Sequence, residues 1–486
     1  MKFIYLLALV LPMIGVPVFL SAFGKKHWKA VLTAFSAAEL LLCILTAALP
    51  KTELVLFSFV GLDFTVAPDA LGCIFSCVVA AMFFASAVFS TEYLAHDENP
   101  AEFATVFVLT LGAMLGLSWA KELQSYYMFF EFLTLVSFPL ILHDRRPTAI
   151  DAARKYLGYS LMGAALVLFA FAYIFRLFGT TTFAAGGYTM PEEMKNLGLA
   201  AAFIAVFGFG CKAGMMPLHD WLPTAHPQAP ASASAVLSGC VTKAGVLGII
   251  RILYYVFGSA SLRGTWVQTV LIAVALVTVF CGSMLAYKEK ILKKRLAYST
   301  VSQVSYALFG LFLMTEAGFI GAILQVVFHS VTKTCLFLCS GSIIHGTNIE
   351  RIYSEDGKFN YTGLGKRMGL TMLGFTLASL SLVGLPPFGG FVSKWYLAEG
   401  SFNALGFSGW IGAAVLLASA LMTAGYLLSV SSKAFFPTKE ASIADAHESG
   451  PAMTVPILAL AITMAVLGVY NFGLGELLSS VAAGLM

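Results

Sequence analysis

Five charged side chains stand inside long apolar runs of this sequence. Glu131 lies in YYMFFEFLTLVSFPLI and Lys212 in FGFGCKAGMMPLHDWLP. Lys243 lies in SASAVLSGCVTKAGVLGII, Lys333 in LQVVFHSVTKTCLFL, and Lys394 just after SLVGLPPFGGF. A lysine at mid-bilayer costs about 2.5–3.5 kcal/mol on insertion scales. Packing alone does not explain four of them. The chemistry that suits such residues is proton traffic. Desolvation can bring a lysine down by several units from about 10.4, and a nearby carboxylate drives it back up. A buried lysine with a movable glutamate is therefore a proton switch. His329 precedes Lys333 by four residues, so both sit on one helix face. Histidine titrates near neutral pH and can pass a proton either way.

Each residue also has a plainer reading. Glu131 could be satisfied by one backbone or hydroxyl group, and Lys212 or Lys394 could reach the interface with long side chains. Glu39, in SAAELLLCIL, is also mid-span and has no visible partner; a hydrogen-bonded structural role is expected for it. His219, Asp220 and His226, in PLHDWLPTAH, show no metal-ligand spacing.

The elements that position these residues follow from composition. The chain has 486 residues, 59% apolar and 11% charged. Ordinary globular chains are about 45–50% apolar and about 25% charged. A soluble protein of this size could not cover its surface with so few charges, and disorder needs the opposite balance. An integral membrane protein remains. The net charge of +4 gives no case for nucleic acid. Eight cysteines all fall in apolar stretches without a CxxC. Cys73/Cys77 and Cys335/Cys339 are one turn apart and read as buried thiols. No iron–sulfur, haem, flavin or nicotinamide motif occurs, so no cofactor and no metal are expected.

Fourteen spans are predicted: 3–23, 30–49, 70–92, 103–120, 123–142, 156–178, 198–216 with a continuation, 231–257, 265–286, 295–315, 317–345, 368–384 with a continuation, 409–432 and 454–472. The first could pass for a signal peptide, but its apolar run is too long and no A-x-A site follows. Loops after odd-numbered spans hold 18 of the 29 Lys and Arg residues, Lys439 among them. The even-numbered side with the N-terminus holds seven. This asymmetry places odd loops in the cytoplasm and both termini outside. Spans 7 and 12 are broken by GMMPLHDWLP at 214–223 and GLPPFGG at 384–390. Proline removes a donor, and the freed carbonyls must be satisfied by protein or water. Paired breaks five spans apart point to two inverted five-helix repeats. The lysines flank the breaks differently, Lys212 before the first and Lys394 after the second.

At this point the sequence resembles a known family, the antiporter-like subunits shared by respiratory complex I, Mrp-type sodium/proton antiporters and membrane-bound hydrogenases. The residues that carry the resemblance are FFEFLTLVSFPLI around Glu131, KAGMMPLHDWLPTAHPQAPASASAVLSGCVTKAGVLGIIR at 212–251, KKRLAYSTVSQVSY at 293–306, HSVTKTCLFLCSGSI at 329–343 and SLVGLPPFGGFVSKW at 381–395. The resemblance covers roughly residues 60–435. It implies an all-α integral membrane fold of about 14 transmembrane helices, with two inverted five-helix repeats and broken helices 7 and 12. The domains would be N-terminal helices 1–3 (1–102), a first repeat of helices 4–8 (103–257), a second of helices 9–13 (265–432), and a C-terminal loop with helix 14 (433–486). Glu131 and Lys212 would be the family's Glu–Lys pair, Lys243 the connecting lysine, His329 and Lys333 the central relay, and Lys394 the terminal residue of a half-channel. The resemblance implies the shorter type of subunit, ending soon after span 14.

The expected function is ion translocation, as proton pumping or sodium/proton exchange, within a multi-subunit complex in the inner or plasma membrane of a prokaryote. The expected partners are other membrane subunits, including homologous antiporter-like ones, the lipid bilayer, protons, and sodium in the exchange reading. Redox chemistry would belong to partner subunits. The alternatives are a self-contained secondary transporter for an organic solute and a quinone-reducing enzyme subunit. A titratable row, rather than a mixed pocket, speaks against the first. The missing redox motifs speak against the second.

Overall fold

The computed structural model describes residues 2–437, 446–470 and 472–486. Lys439, one of the loop lysines counted above, lies outside them. In hydrocarbon every backbone N–H and C=O must be paired within the segment, so apolar runs of this length become helices. The first six are α1 (Lys2–Leu20), α2 (Trp28–Ala48), α3 (Ala70–Tyr93), α4 (Pro100–Trp119), α5 (Leu123–Leu142) and α6 (Pro147–Phe178). The seventh is broken into α7a (Lys195–Ala213) and α7b (Leu222–Gln228). Then come α8 (Ala231–Val256), α9 (Trp266–Lys288), α10 (Leu292–Leu313) and α11 (Glu316–Thr347). The twelfth is broken into α12a (Gly369–Val383) and α12b (Gly389–Leu405). α13 (Gly409–Phe435), α14 (Pro451–Val469) and a short α15 (Phe472–Ala483) complete the chain.

Among the described residues, thirteen helical segments are long and apolar enough to cross a bilayer. The count falls one below fourteen because α12a has only 15 residues, while α12b and α13 run together as Gly389–Phe435. Both breaks lie where the sequence put them. Each first half ends on a glycine in the left-handed region, Gly214 at φ 80 and Gly384 at φ 92. A side chain is disfavoured there, so the helix stops cleanly.

Three features depart from the sequence reading. A β-hairpin, β1 (Leu54–Phe59) with β2 (Leu62–Val66), fills the loop between α2 and α3. Val60 and Gly61 both have positive φ at its two-residue turn, as a tight hairpin of this kind requires. α6 starts at Pro147, nine residues earlier than expected, because proline is well placed at a helix start. α15 adds a twelve-residue helix after span 14.

α8 and α11 are buried along their whole apolar windows. They form the centre against which α3, α10, α12b and α14 pack. Such helices are apolar all round, so a charge on them has no lipid-free exit except through protein. Arg251 is buried near the end of α8. It forms a two-pronged ion pair with Asp69, the N-cap of α3, at 2.5 and 2.8 Å. The eight cysteines are free thiols.

Candidate functional site

The first cluster forms around the end of α7a. Lys212 sits in the last turn, 1% exposed. Its Nζ donates to Thr134 Oγ1 of α5 at 2.7 Å, and to Tyr156 OH and Ser160 Oγ of α6 at 2.9 and 3.3 Å. The Tyr156 hydroxyl is also 2.6 Å from Ser137 Oγ. The ammonium lies 4.8 Å from the Tyr156 ring centre and 5.3 Å from that of Phe130, an arrangement that favours a cation. A helix C-terminus favours positive charge as well. The break supplies its own cap, because Trp221 Nε1 donates to Cys211 O at 2.9 Å. Asp220, in the break, takes an ion pair from Lys155 of α6.

Glu131 lies one turn before Thr134 on α5, half-buried, with Oε1 unpartnered. The expected Glu–Lys pair is thus not joined by an ion pair among the described residues. Hydroxyls hold the ammonium instead.

The second cluster crosses the middle of the molecule. α8 contains a π-turn at Leu237–Val241. There the Thr242 N–H reaches back to Leu237 O. The neighbouring Ser238 carbonyl accepts from Thr242 Oγ1 at 2.9 Å and from Lys243 Nζ at 2.5 Å. Such bulges recur at functional sites because they free a carbonyl inside a helix. Lys243 Nζ also lies 2.8 Å from His329 Nδ1 on α11. One turn further along α11, Lys333 donates to Leu296 O at 2.9 Å and to Ser299 Oγ, both on α10. The small residues before Lys243 allow this approach. A Cβ on Gly239 would overlap the Thr334 hydroxyl of α11.

His329 Nε2 has no partner among the described residues. It borders a small cavity shared with Gln303, Gln325, Thr332 and Ser381. Gln325 Nε2 donates to Gln303 Oε1 at 2.9 Å, and Ser393 Oγ donates to Gln325 Oε1 at 2.7 Å. On the far side, Lys394 Nζ donates to the carbonyls of Leu382 and Val383, both at 2.6 Å. Those carbonyls belong to the last turn of α12a. Lys394 therefore reaches back across its break. Both break lysines are tied to the C-terminal turn of the first half-helix, Lys212 by the chain and Lys394 by hydrogen bonds. The mirror that looked imperfect in sequence is closer in space.

The structure thus brings Lys243, His329 and Lys333 together, and Lys394 bonds the carbonyl of Leu382, which borders the same small cavity as His329. It leaves Lys212 apart. Phe130, under the Lys212 ammonium, and Tyr126, whose hydroxyl donates to Ala244 O next to Lys243, both pack on Phe209, with ring centres 5.1 and 5.5 Å from it. No hydrogen bond crosses this aromatic group from one lysine to the other among the described residues. None of the four lysines faces outward along its length; Lys394 is half-buried and the other three are buried.

Sequence reasoning missed Tyr156, Ser160, Gln303 and Gln325. Polar side chains at helical spacing in apolar spans were the available signal. His226 was set aside as lacking metal spacing, yet it is fully buried with both ring nitrogens unpartnered. It stacks on Phe337 at 4.8 Å. Beside it, Lys293 donates to Ala229 O at 3.0 Å at the floor of a polar cleft of about 790 Å³.

The family described as NADH:quinone oxidoreductase/Mrp antiporter, TM, matches residues 120–423. The chain belongs to this family. Within it, the chain is 33% identical over 428 residues to NADH-quinone oxidoreductase subunit N of Desulforudis audaxviator (strain MP104C), over 85% of this chain and 82% of the relative. It is 30% identical over 354 residues to hydrogenase-4 component B of Escherichia coli (strain K12), over 70% of this chain and 51% of that longer relative. A chain in the solved Mrp complex from Dietzia sp. DQ12-45-1b has the same fold, with a TM-score of 0.85, 22% identity, and coverage of 100% of this chain and 97% of that one. The fold of this NADH:quinone oxidoreductase/Mrp antiporter family member is thus a multi-pass membrane fold with helices 7 and 12 interrupted.

Proposed function

We propose that this chain is an ion-translocating subunit of a larger membrane complex, moving protons or exchanging protons for sodium. The observation that carries the reading is the Lys243–His329 contact at 2.8 Å inside two fully buried helices. A cation held that deep, against a neutral or shared proton acceptor, has proton transfer as its natural chemistry. Lys212, Lys333 and Lys394 extend the same arrangement toward both broken helices, and Glu131 supplies a carboxylate one turn from the Lys212 cradle. Water crossing the Tyr126–Phe130–Phe209 group would join the two clusters during turnover.

The same reading divides the chain into N-terminal helices (1–102), two repeats (103–257 and 265–432) and a C-terminal part (433–486). The matched breaks after Gly214 and Gly384 support the repeats. The surplus of Lys and Arg in odd loops supports cytoplasmic odd loops and outward termini in a prokaryotic inner or plasma membrane. The names of the relatives, a subunit, a component and a complex, support partner membrane subunits.

The test is ion flux in vesicles that hold the complete complex, read with a pH dye and with radioactive sodium. Flux in either channel that collapses in Lys243→Met, with assembly intact, supports the reading. Uptake of an organic solute, with no ion movement tied to these residues, overturns it.

A further inference from the structure

Glu39 stands outside all of the above. It lies near the middle of the 21-residue α2 and is 1% exposed. The hydrogen-bonded structural role expected for it is not what the structure shows, because neither carboxyl oxygen has a partner among the described residues. Ser36 Oγ, one turn before it, and Thr46 Oγ1, two turns after, are also buried without partners. The spacing 36, 39, 43, 46 puts these groups and Cys43 on one face of α2, the buried face that packs on α3. Across the seam, Ser76 Oγ turns back to Cys73 O at 3.1 Å.

One end of this seam is polar. Lys51 Nζ donates to Thr46 O at 2.6 Å and to Ala47 O at 3.0 Å. Thr52 Oγ1 is a further buried hydroxyl without a partner. The other end is closed by Leu32 and Trp28, both buried. The opposite face of α2 exposes Leu41, Ile44 and Leu45, so the carboxyl points into protein and not toward lipid.

Buried polar groups are almost always paired, by protein or by ordered water. Ser36, Glu39 and Thr46 on this face, and Thr52 just beyond its polar end, have no partner in protein among the described residues, which leaves water as the partner available to them. The groups around the carboxyl are few. Cys43 on α2 is its titratable neighbour, and Cys43 in turn is near Cys73 and Cys77 on α3. Lys51 stands at its mouth, and Tyr5 of α1 takes the Thr52 N–H through its hydroxyl at 3.4 Å. No ammonium or guanidinium bonds to Glu39 among the described residues. A bound proton is the smallest cation that would neutralise a carboxylate at such a site.

We propose that Glu39 is a proton-loading carboxyl on a second, short polar track between α2 and α3, reached by water from the Lys51 end. The proposal rests on the ion-translocation reading and adds a site outside the repeats. α3 also packs against α11, the helix of His329 and Lys333, so the track is one helix removed from the central relay.

The experiment uses the intact complex in vesicles and a hydrophobic carbodiimide. The carboxylic acid adds across a C=N bond of the reagent. Its proton goes to nitrogen and its oxygen bonds the central carbon, giving an O-acylisourea that rearranges to a stable N-acylurea. Peptide mass spectrometry should find this adduct on Glu39, undiminished by excess sodium. Glu39→Gln should assemble normally and lose flux by about tenfold or more, with Glu39→Asp recovering a substantial part. A structural carboxyl would tolerate the isosteric glutamine. Failure to label Glu39, protection by sodium, or wild-type flux in Glu39→Gln each overturns the proposal. Lys212→Met separates the two levels. If it is inactive while Glu39→Gln pumps normally, only the Glu39 site falls; if both pump normally, the translocating role given to Lys212 falls with it, and Lys243→Met decides the translocation reading itself.

Discussion

Replacing Lys212 by methionine removes a titratable group while leaving its cradle nearly intact. The ammonium donates to Thr134, Tyr156 and Ser160. After substitution, Tyr156 keeps Ser137 at 2.6 Å, and Thr134 keeps its bond to Phe130 O at 3.2 Å. Only Ser160 loses its sole side-chain partner. One unsatisfied buried hydroxyl costs about 1–3 kcal/mol. Removing a buried charge returns part of its desolvation penalty. The two effects oppose, so the net change in stability should stay within about 2 kcal/mol, and the complex should assemble. Proton flux has no such compensation. A positioned acid–base group contributes about 10²–10⁴-fold, so flux should fall by about a hundredfold. Lys212→Arg should fail too, because guanidinium does not give up its proton in proteins. The assay is driven proton uptake in vesicles, with assembly checked by co-purification. Uptake within about twofold of wild type in either variant would refute a protonation cycle at Lys212.

Three further outcomes follow from other parts of the molecule. Lys394→Ala should lose most of its flux, whereas Lys394→Glu should keep part of it, since a terminal site needs only a group that can carry a proton; equal, wild-type flux in both would make Lys394 a snorkelling lysine. Gly384→Ala should mimic Lys394→Ala in part, because the added Cβ would lie 2.8 Å from Lys394 Cδ at a backbone φ of 92; unchanged flux would show that the break tolerates displacement of this lysine. Burial pushes the Asp69 carboxyl up, but the Arg251 guanidinium and the Gly72 N–H outweigh it and hold it below the usual carboxylate range. Its contribution is therefore present above the unfolded value of about 3.9 and is lost as pH falls through the lower folded value. Asp69→Asn should destabilise by about 1–2 kcal/mol at neutral pH, the partial exposure of Asp69 tempering the cost of leaving Arg251 unpaired. Thermal unfolding should show the gap to wild type closing below about pH 4, and a gap that widens there would contradict the assignment.

Much of this architecture is legible in the sequence because lipid leaves the backbone few choices. Length and hydropathy gave a helix for each of the fourteen expected spans, thirteen of them long and apolar enough to cross a bilayer among the described residues, and Pro and Gly runs placed both breaks. The buried lysines were visible because a charge in an apolar run has few bland explanations. What was hidden is long-range or local-geometric. The hydroxyls that hold Lys212 come from 52 to 78 residues away, and no helical period announces which of many serines will meet it. The hairpin at 54–66 was overlooked because its strands are short and apolar beside much longer spans. Lys212 and Lys394 looked mismatched because position in the chain does not show that a long side chain can reach back over a break.

The central claim is that ions pass through the Lys243–His329 contact. It is tested most directly by a double-mutant comparison of driven proton flux in vesicles holding the assembled complex. Residues that act as one relay are non-additive, because breaking either link breaks the path. Lys243→Met and His329→Ala should each lower flux by about tenfold or more, and the double variant should be no slower than the worse single one. Losses that multiply in the double variant, or wild-type flux in either single variant, would contradict the claim.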